Sequence, residues 1–232
     1  MMQDNKNIVV DLDATLLDFK FPYIGEPIDG SVKAINTLAN MGYKITVYSC
    51  RNNLKLFSSA ASMKQNLKDT EAALKKYGFK EFTMDKGDTG KPCALYYVDD
   101  AGIEFDRWET LLSRHNFYSG IAVAVGVEKC ILDENNNLIE GAAYALDFFR
   151  VAGIKVILTT IRSNTQNTDL KTVNENMEEL EEILKSHQVC YNYFDYGNKG
   201  KPVCSHYIEP NMISFYGSWG KVLKRIMDHK EP

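Results

Sequence analysis

The chain has no Cys-x-x-Cys pair, no excess of basic residues and no long apolar run, and each absence removes a class of function. Its five cysteines (Cys50, Cys93, Cys130, Cys190, Cys204) are scattered and odd in number. That argues against a disulfide framework and a structural zinc site, and fits a reducing compartment. Lys and Arg total 27 against 31 Asp and Glu, a net charge of −4, so no basic field exists to recruit nucleic-acid phosphates. No apolar stretch approaches the roughly 18–20 residues that cross a bilayer, and Met1 to Asn7 is polar, without the apolar core of a signal peptide. A cytoplasmic protein with neither membrane nor nucleic acid as partner is expected. What is present is 232 residues, 44% hydrophobic and 25% charged, the balance of a globular chain with room for one large domain or two small ones.

An internal repeat organises the sequence. Residues 42–53 (Gly-Tyr-Lys-Ile-Thr-Val-Tyr-Ser-Cys-Arg-Asn-Asn) lie over 153–164 (Gly-Ile-Lys-Val-Ile-Leu-Thr-Thr-Ile-Arg-Ser-Asn). Gly90-Lys91-Pro92 lies over Gly200-Lys201-Pro202, Tyr97-Val98-Asp99 over Tyr207-Ile208-Glu209, Phe105 over Phe215 and Trp108 over Trp219. The offset stays at 110 to 111 throughout, which reads as a duplicated unit. Two tandem lobes are expected, 1–117 and 118–232, joined near His115 to Gly120. Two like lobes in one chain can pair with each other, so a monomer is expected.

Each copy alternates strands and helices. In the first, the apolar run Ile8–Val10 suits a buried parallel strand. A loop or flap follows over Phe19 to Ile28, with Pro22, Gly25 and Pro27. Then come a helix from Asp29 or Ser31 (Val32, Ile35, Leu38, Ala39 on one face, Gly42 closing it), a strand at Lys44–Tyr48 and a helix around Ser62 to Tyr77 carrying Met63, Leu67, Leu74 and Tyr77. A strand at Leu95–Val98 and a helix at Trp108–Ser113 complete it. The second copy gives a strand at Ile121–Val127, a turn at Glu134–Asn137, a helix near Ala142–Val151 and a strand at Lys155–Thr159. Its long helix carries Leu170, Val173, Met177, Leu180 and Leu184 on one face, with Glu178, Glu179, Glu181 and Glu182 in solvent. The class is α/β, each lobe a mostly parallel sheet flanked by helices, with ligands at the carboxyl ends of the strands.

Those ends carry the chemistry. Asp11 and Asp13 follow the first strand one residue apart and project to one face; two like charges there call for a cation or a partner. Ser49 ends the second strand, Asp99-Asp100 the third, and Lys91 lies upstream. Taken singly, each has a plain alternative: an Asp-rich turn, a strand end, a solvated loop lysine. Together they supply oxygen ligands for Mg²⁺ and donors for a transferring phosphoryl group.

In this order the motifs resemble the haloacid dehalogenase superfamily of phosphohydrolases, in particular its small capless members, with a flap here at Phe21-Pro22-Tyr23-Ile24-Gly25-Glu26. The resemblance implies a Rossmann-like lobe and Mg²⁺ as cofactor. It implies Asp11 as a nucleophile forming an aspartyl-phosphate, and Asp13 as the acid that protonates the leaving group and then activates water. Ser49 and Lys91 would bind phosphate, with Thr15 holding the loop. Asp99 would ligate Mg²⁺ beside the Asp11 carboxylate and the Asp13 carbonyl, with Asp100 acting through a water. Ala14 stands where most members have Gly; if φ is positive there, it costs about 1 kcal/mol or more. Selectivity would come from the flap and Asn52–Met63, whose Phe21, Tyr23, Arg51, Asn53 and Phe57 either meet a base or sugar or cover the core.

The second copy shows Ala122 to Val127 where the first motif belongs, with no carboxylate before Glu128. Thr160 replaces Ser49, Lys201 keeps the lysine, and Glu209-Pro210 replaces Asp99-Asp100. It is either a degenerate lobe or one in which Thr160, Arg162 and Lys201 still bind an anion. The expected function is a Mg²⁺-dependent phosphatase for a small phosphorylated metabolite or nucleotide. The alternative is a non-catalytic protein that sequesters such a ligand.

Overall fold

The computed structural model describes residues 6–166 and 168–228. Along the chain run β1 (Asn7–Val10), α1 (Ser31–Asn40), β2 (Lys44–Val47), α2 (Ala60–Lys76), β3 (Thr83–Met84), β4 (Tyr96–Asp99), β5 (Gly102–Glu104) and α3 (Trp108–Arg114). Then come β6 (Ala122–Gly126), α4 (Ala142–Val151), β7 (Lys155–Thr159), α5 (Leu170–Ser186), β8 (Tyr193–Phe194), β9 (His206–Glu209), β10 (Met212–Ser214) and α6 (Trp219–Asp228). Two five-stranded sheets result, ordered β10-β4-β1-β2-β3 and β5-β9-β6-β7-β8. In the first, β1 pairs in parallel with β2 and β4, and β2 with β3. In the second, β6 pairs in parallel with β7 and β9, and β7 with β8. The expected α/β class with two parallel-strand sheets flanked by helices is what the chain forms. Among the described residues no helix is long and apolar enough to cross a membrane.

Two compact units are present, and they do not divide at residue 117. Unit 1 takes the chain up to Lys86, then Pro92–Gly102, and again from Ile213 onward; unit 2 takes Gly87–Lys91 and Ile103–Met212. The last strand and helix of each half of the sequence thus belong to the other half's sheet and core. Trp219, Val222 and Ile226 of α6 join the core of Ile8, Val10, Leu38 and Leu74. Trp108 and Leu111 of α3 join that of Val123, Val125, Phe149 and Leu184. Periodicity identifies an edge strand and an amphipathic helix but not which sheet they cover, so the sequence boundary misplaced them.

Local chemistry explains several helix ends. Ser59 and Ser62 form a capping box at the start of α2, and Asp169 accepts from Thr172 N at 3.0 Å to open α5, each satisfying an N–H that the helix leaves unpaired. Gly42 and Gly78, at φ 85° and 95°, stop α1 and α2 in the left-handed region where glycine has no penalty. α5 buries Val173, Met177, Leu180 and Leu184. Leu170, expected on that stripe, is 66% exposed, because the first helical residue overhangs the end of the core. On α2 the buried face is Leu67, Thr70 and Leu74; Met63 and Tyr77, also expected there, are only half-buried.

Candidate active site

β1 is a buried strand between two neighbours, and its hydrogen bonds continue past its end. Asp11 N–H donates to Val98 O and Tyr48 N–H to Val10 O, so Asp11 leaves the sheet between the ends of β4 and β2. Asp11 and Asp99 are buried and Asp100 exposed. One carboxylate oxygen from each lies within 4.8 Å of the others. Ala101 N–H donates to Asp99 Oδ1 at 2.8 Å. Thr15 braces the third acid, accepting from Asp100 N–H at 3.1 Å and donating to Asp100 Oδ1 at 3.4 Å. Thr15 therefore ties the first-motif loop to the third acid. Three oxygens of this hardness, two of them in a buried setting where like charges repel, fit a small divalent cation such as Mg²⁺.

Ser49, also buried, lies at the end of β2 and accepts from Arg51 N–H at 3.2 Å, capping a turn of 3₁₀ helix over Cys50–Asn52. Asp13 stands apart from the acid cluster. Both its oxygens are taken by Arg51: Nε reaches Oδ2 and Nη2 reaches Oδ1, each at 2.7 Å. Arg51 is 1% exposed, and it also donates to Pro22 O at 3.3 Å, Tyr23 O at 2.7 Å and Asn66 Oδ1 at 3.2 Å. The sequence offered Arg51 as a contact for a base or sugar or as cover for the core, not as the partner of Asp13; the matching position of Arg162 was the available signal.

The loop of the first motif is fixed from two sides. Leu16 and Leu17 N–H both donate to Leu12 O, and Trp219 Nε1 donates to Thr15 O at 3.0 Å. Ala14 adopts φ 59°, so the left-handed conformation anticipated there is realised with an alanine and its cost is incurred.

Lys91, expected to bind phosphate beside Asp11, belongs to unit 2. Its segment is pinned there by Gly90 N–H to Gly197 O (3.0 Å), Thr165 N–H to Thr89 O (2.8 Å) and Asn164 Nδ2 to Lys91 O (2.9 Å). The buried Lys91 ammonium pairs with Glu209 Oε1 and lies 3.4 Å from Thr159 Oγ1.

Unit 2 has a loop with the same bonds. Ile131 and Leu132 N–H both donate to Val127 O, and Trp108 Nε1 donates to Cys130 O. Lys129 takes φ 62°. Matching those bonds sets Gly126 in the place of Asp11 and Glu128 in that of Asp13, at least four residues later than the constant offset of the sequence repeat places them. The flap is the cause: Leu17 bridges to Pro27 in unit 1, but Leu132 to Leu138 in unit 2, so a shorter flap shifts the register. A β-carbon on Gly126 would collide with the Glu209 carboxylate at Oε2. The Glu209 carboxylate thus fills the space a nucleophile would need. Burial pushes its carboxyl up and Lys91 pulls it back.

The anion site expected at Thr160, Arg162 and Lys201 is largely answered by protein. Thr160 Oγ1 donates to Glu128, Arg162 Nε lies 3.7 Å from Glu128 Oε1, and Arg162 Nη2 donates to Asn136 Oδ1 at 2.8 Å. Lys201 is buried with its ammonium 4.5 Å over the Tyr207 ring. A further acid escaped the sequence reading: buried Asp85, just after β3, accepts from Asn52 Nδ2 at 2.7 Å.

Among solved structures the chain is similar to a D,D-heptose 1.7-bisphosphate phosphatase from B. bronchiseptica complexed with magnesium and phosphate. Identity is 12% and the TM-score 0.30, over 96% of this chain and 98% of that one. A second solved structure matches at 11% identity and a TM-score of 0.26, over 98% of this chain and all of that one. At these values neither likeness bears on the chemistry of this chain. No protein-family model and no curated protein matches the sequence.

Proposed function

We propose that unit 1 is a Mg²⁺-dependent phosphomonoester hydrolase of haloacid dehalogenase type, acting on a small phosphorylated metabolite or nucleotide. The observation that carries this reading is the convergence of Asp11, Asp99 and Asp100 within 4.8 Å at the ends of two adjacent parallel strands. In it, an Asp11 oxygen attacks phosphorus as the ester oxygen departs, leaving an aspartyl-phosphate. Asp13, entering the step protonated on a lone pair that its two bonds from Arg51 do not use, gives that oxygen its proton and then takes one from the water that opens the phosphoenzyme. Ser49 orients the phosphoryl oxygens. Asp11, Asp99 and Asp100 would hold Mg²⁺, whose charge when bound offsets that of the phosphoryl oxygens.

Unit 2 is read as the degenerate partner of a duplicated lobe. With glycine at 126 and Glu209 packed into the gap, it has no nucleophile and turns nothing over. The test is release of inorganic phosphate from a panel of phosphate esters, with and without Mg²⁺, for wild type and Asp11→Asn. Mg²⁺-dependent release lost in D11N is expected; equal inactivity of both proteins across the panel removes the reading. The sequestration alternative is supported instead if a bound phosphate ester comes back intact after long incubation.

A further inference from the structure

Arg51 is the most fully engaged side chain near the site. A guanidinium has five N–H donors, and five hydrogen bonds are made: two to Asp13, one each to Pro22 O, Tyr23 O and Asn66 Oδ1. No donor is left for a substrate phosphate. An arginine at a phosphate site would ordinarily be taken for an anion clamp; here the donor count excludes that role.

Its five acceptors have something in common. Two are the carboxylate oxygens of Asp13, two are backbone carbonyls of the flap, and one is the side chain of Asn66 on α2, which itself donates to Pro22 O at 3.0 Å. The Phe21 ring, 5.3 Å from the guanidinium carbon, covers the assembly and is met edge-on by Phe57. Asp13, the flap and α2 are thus tied through one planar cation. Unit 2 gives an internal contrast. There Arg162 meets Glu128 only at 3.7 Å, bonds Asn136 of its shorter flap, and is 29% exposed. The bidentate, buried form occurs beside the loop that keeps a nucleophile.

We infer that Arg51 is a positioning residue: it holds the Asp13 carboxyl group against the flap and so sets where Asp13 stands when it serves the leaving oxygen. This rests on the hydrolase reading above. Arg51 touches neither phosphorus nor leaving group, and its effect passes wholly through Asp13.

Leaving-group chemistry isolates that effect. Nitrophenolate departs without help, whereas an alkoxide needs its proton delivered as the P–O bond breaks, and a positioned acid contributes about 10²–10⁴-fold. Steady-state kcat/KM is measured with Mg²⁺ for 4-nitrophenyl phosphate and for glycerol phosphate. Arg51→Gln is expected to lower the alkyl ester about 100-fold and the nitrophenyl ester less than about 5-fold, the alkyl loss falling on kcat. Arg51→Lys, which keeps the charge but not the fork, recovers part of the alkyl activity. Asn66→Ala removes one strut from a half-buried position and gives the same asymmetry on a smaller scale, so the test survives if R51Q does not fold. Equal losses on both esters in R51Q and N66A, with near-ultraviolet circular dichroism unchanged, overturn the assignment alone. A wild type inactive on both esters overturns the hydrolase reading and this assignment with it.

Discussion

Replacing Lys91 by methionine probes how unit 2 tolerates its altered site. Lys91 and Glu209 are 6% and 7% exposed and pair directly, with Thr159 Oγ1 3.4 Å from both. Methionine keeps the length of the side chain but strands the carboxylate in a space closed by Gly126. Removing one partner of such a pair costs about 3–5 kcal/mol. The loss depends on pH. Burial already pushes the Glu209 carboxyl up, and Lys91 opposes that, so K91M raises it further. A group raised in the folded state contributes stability that is present below its unfolded pKa, about 4.3, and is lost as pH climbs through the folded value. K91M is therefore expected to lose most near pH 8 and least near pH 5. One tryptophan lies in each core, so guanidinium denaturation in a Trp219→Phe background follows unit 2 through Trp108. Lys91→Met/Glu209→Met, with no charge left, should recover most of the loss. A K91M penalty under about 1 kcal/mol, far below the buried-pair range, or one equal at pH 5 and pH 8, refutes the reasoning.

Other expectations follow from single positions. Ala14→Gly relieves a left-handed alanine at φ 59° and should stabilise unit 1 by about 1 kcal/mol, read by denaturation through Trp219 in a Trp108→Phe background. Thr70 is fully buried on α2 with no hydrogen-bond partner for its hydroxyl among the described residues, so Thr70→Val should stabilise unit 1 by roughly 1–2 kcal/mol; a loss of stability would mean the hydroxyl has a role. Burial pushes the Cys130 thiol well up, while Cys93 and Cys190 are exposed. Iodoacetamide at pH 8 should label Cys93 and Cys190 in the native protein and Cys130 only after unfolding, read by peptide mass spectrometry.

Much of this architecture was legible because it is local. α4 and β7 fall where the apolar spacing put them, and the acids after β1 and β4 converge as strand-end residues of adjacent parallel strands do. The positive φ at Ala14 was anticipated only through the family resemblance, in which most members carry Gly there; alanine itself argues against it. What escaped is what spacing cannot encode. β5 and β10 are three residues each, too short for alternation to say which sheet they extend, so the exchange of chain ends between units was missed and Lys91 went with it. The pairing of Asp13 with Arg51 spans 38 positions and arises only when the flap folds between them. The place of Gly126 was obscured by a shorter flap, which breaks the constant offset just where the first motif lies. Glu209 read as a weakened copy of Asp99; only packing reveals that its longer side chain fills the gap left at Gly126.

The central claim is that Asp11 takes up a phosphoryl group, and trapping that group tests it most directly. Asp13→Asn, mixed with 4-nitrophenyl phosphate and Mg²⁺ and quenched in acid, should form the phosphoenzyme but hydrolyse it slowly, since the residue that activates water is gone. Peptide mass spectrometry is expected to find a phosphoryl adduct on Asp11, absent without Mg²⁺ and absent in Asp11→Asn/Asp13→Asn. Phosphate release by the wild type with no adduct on Asp11 in D13N, or an adduct carried by another residue, would contradict the account.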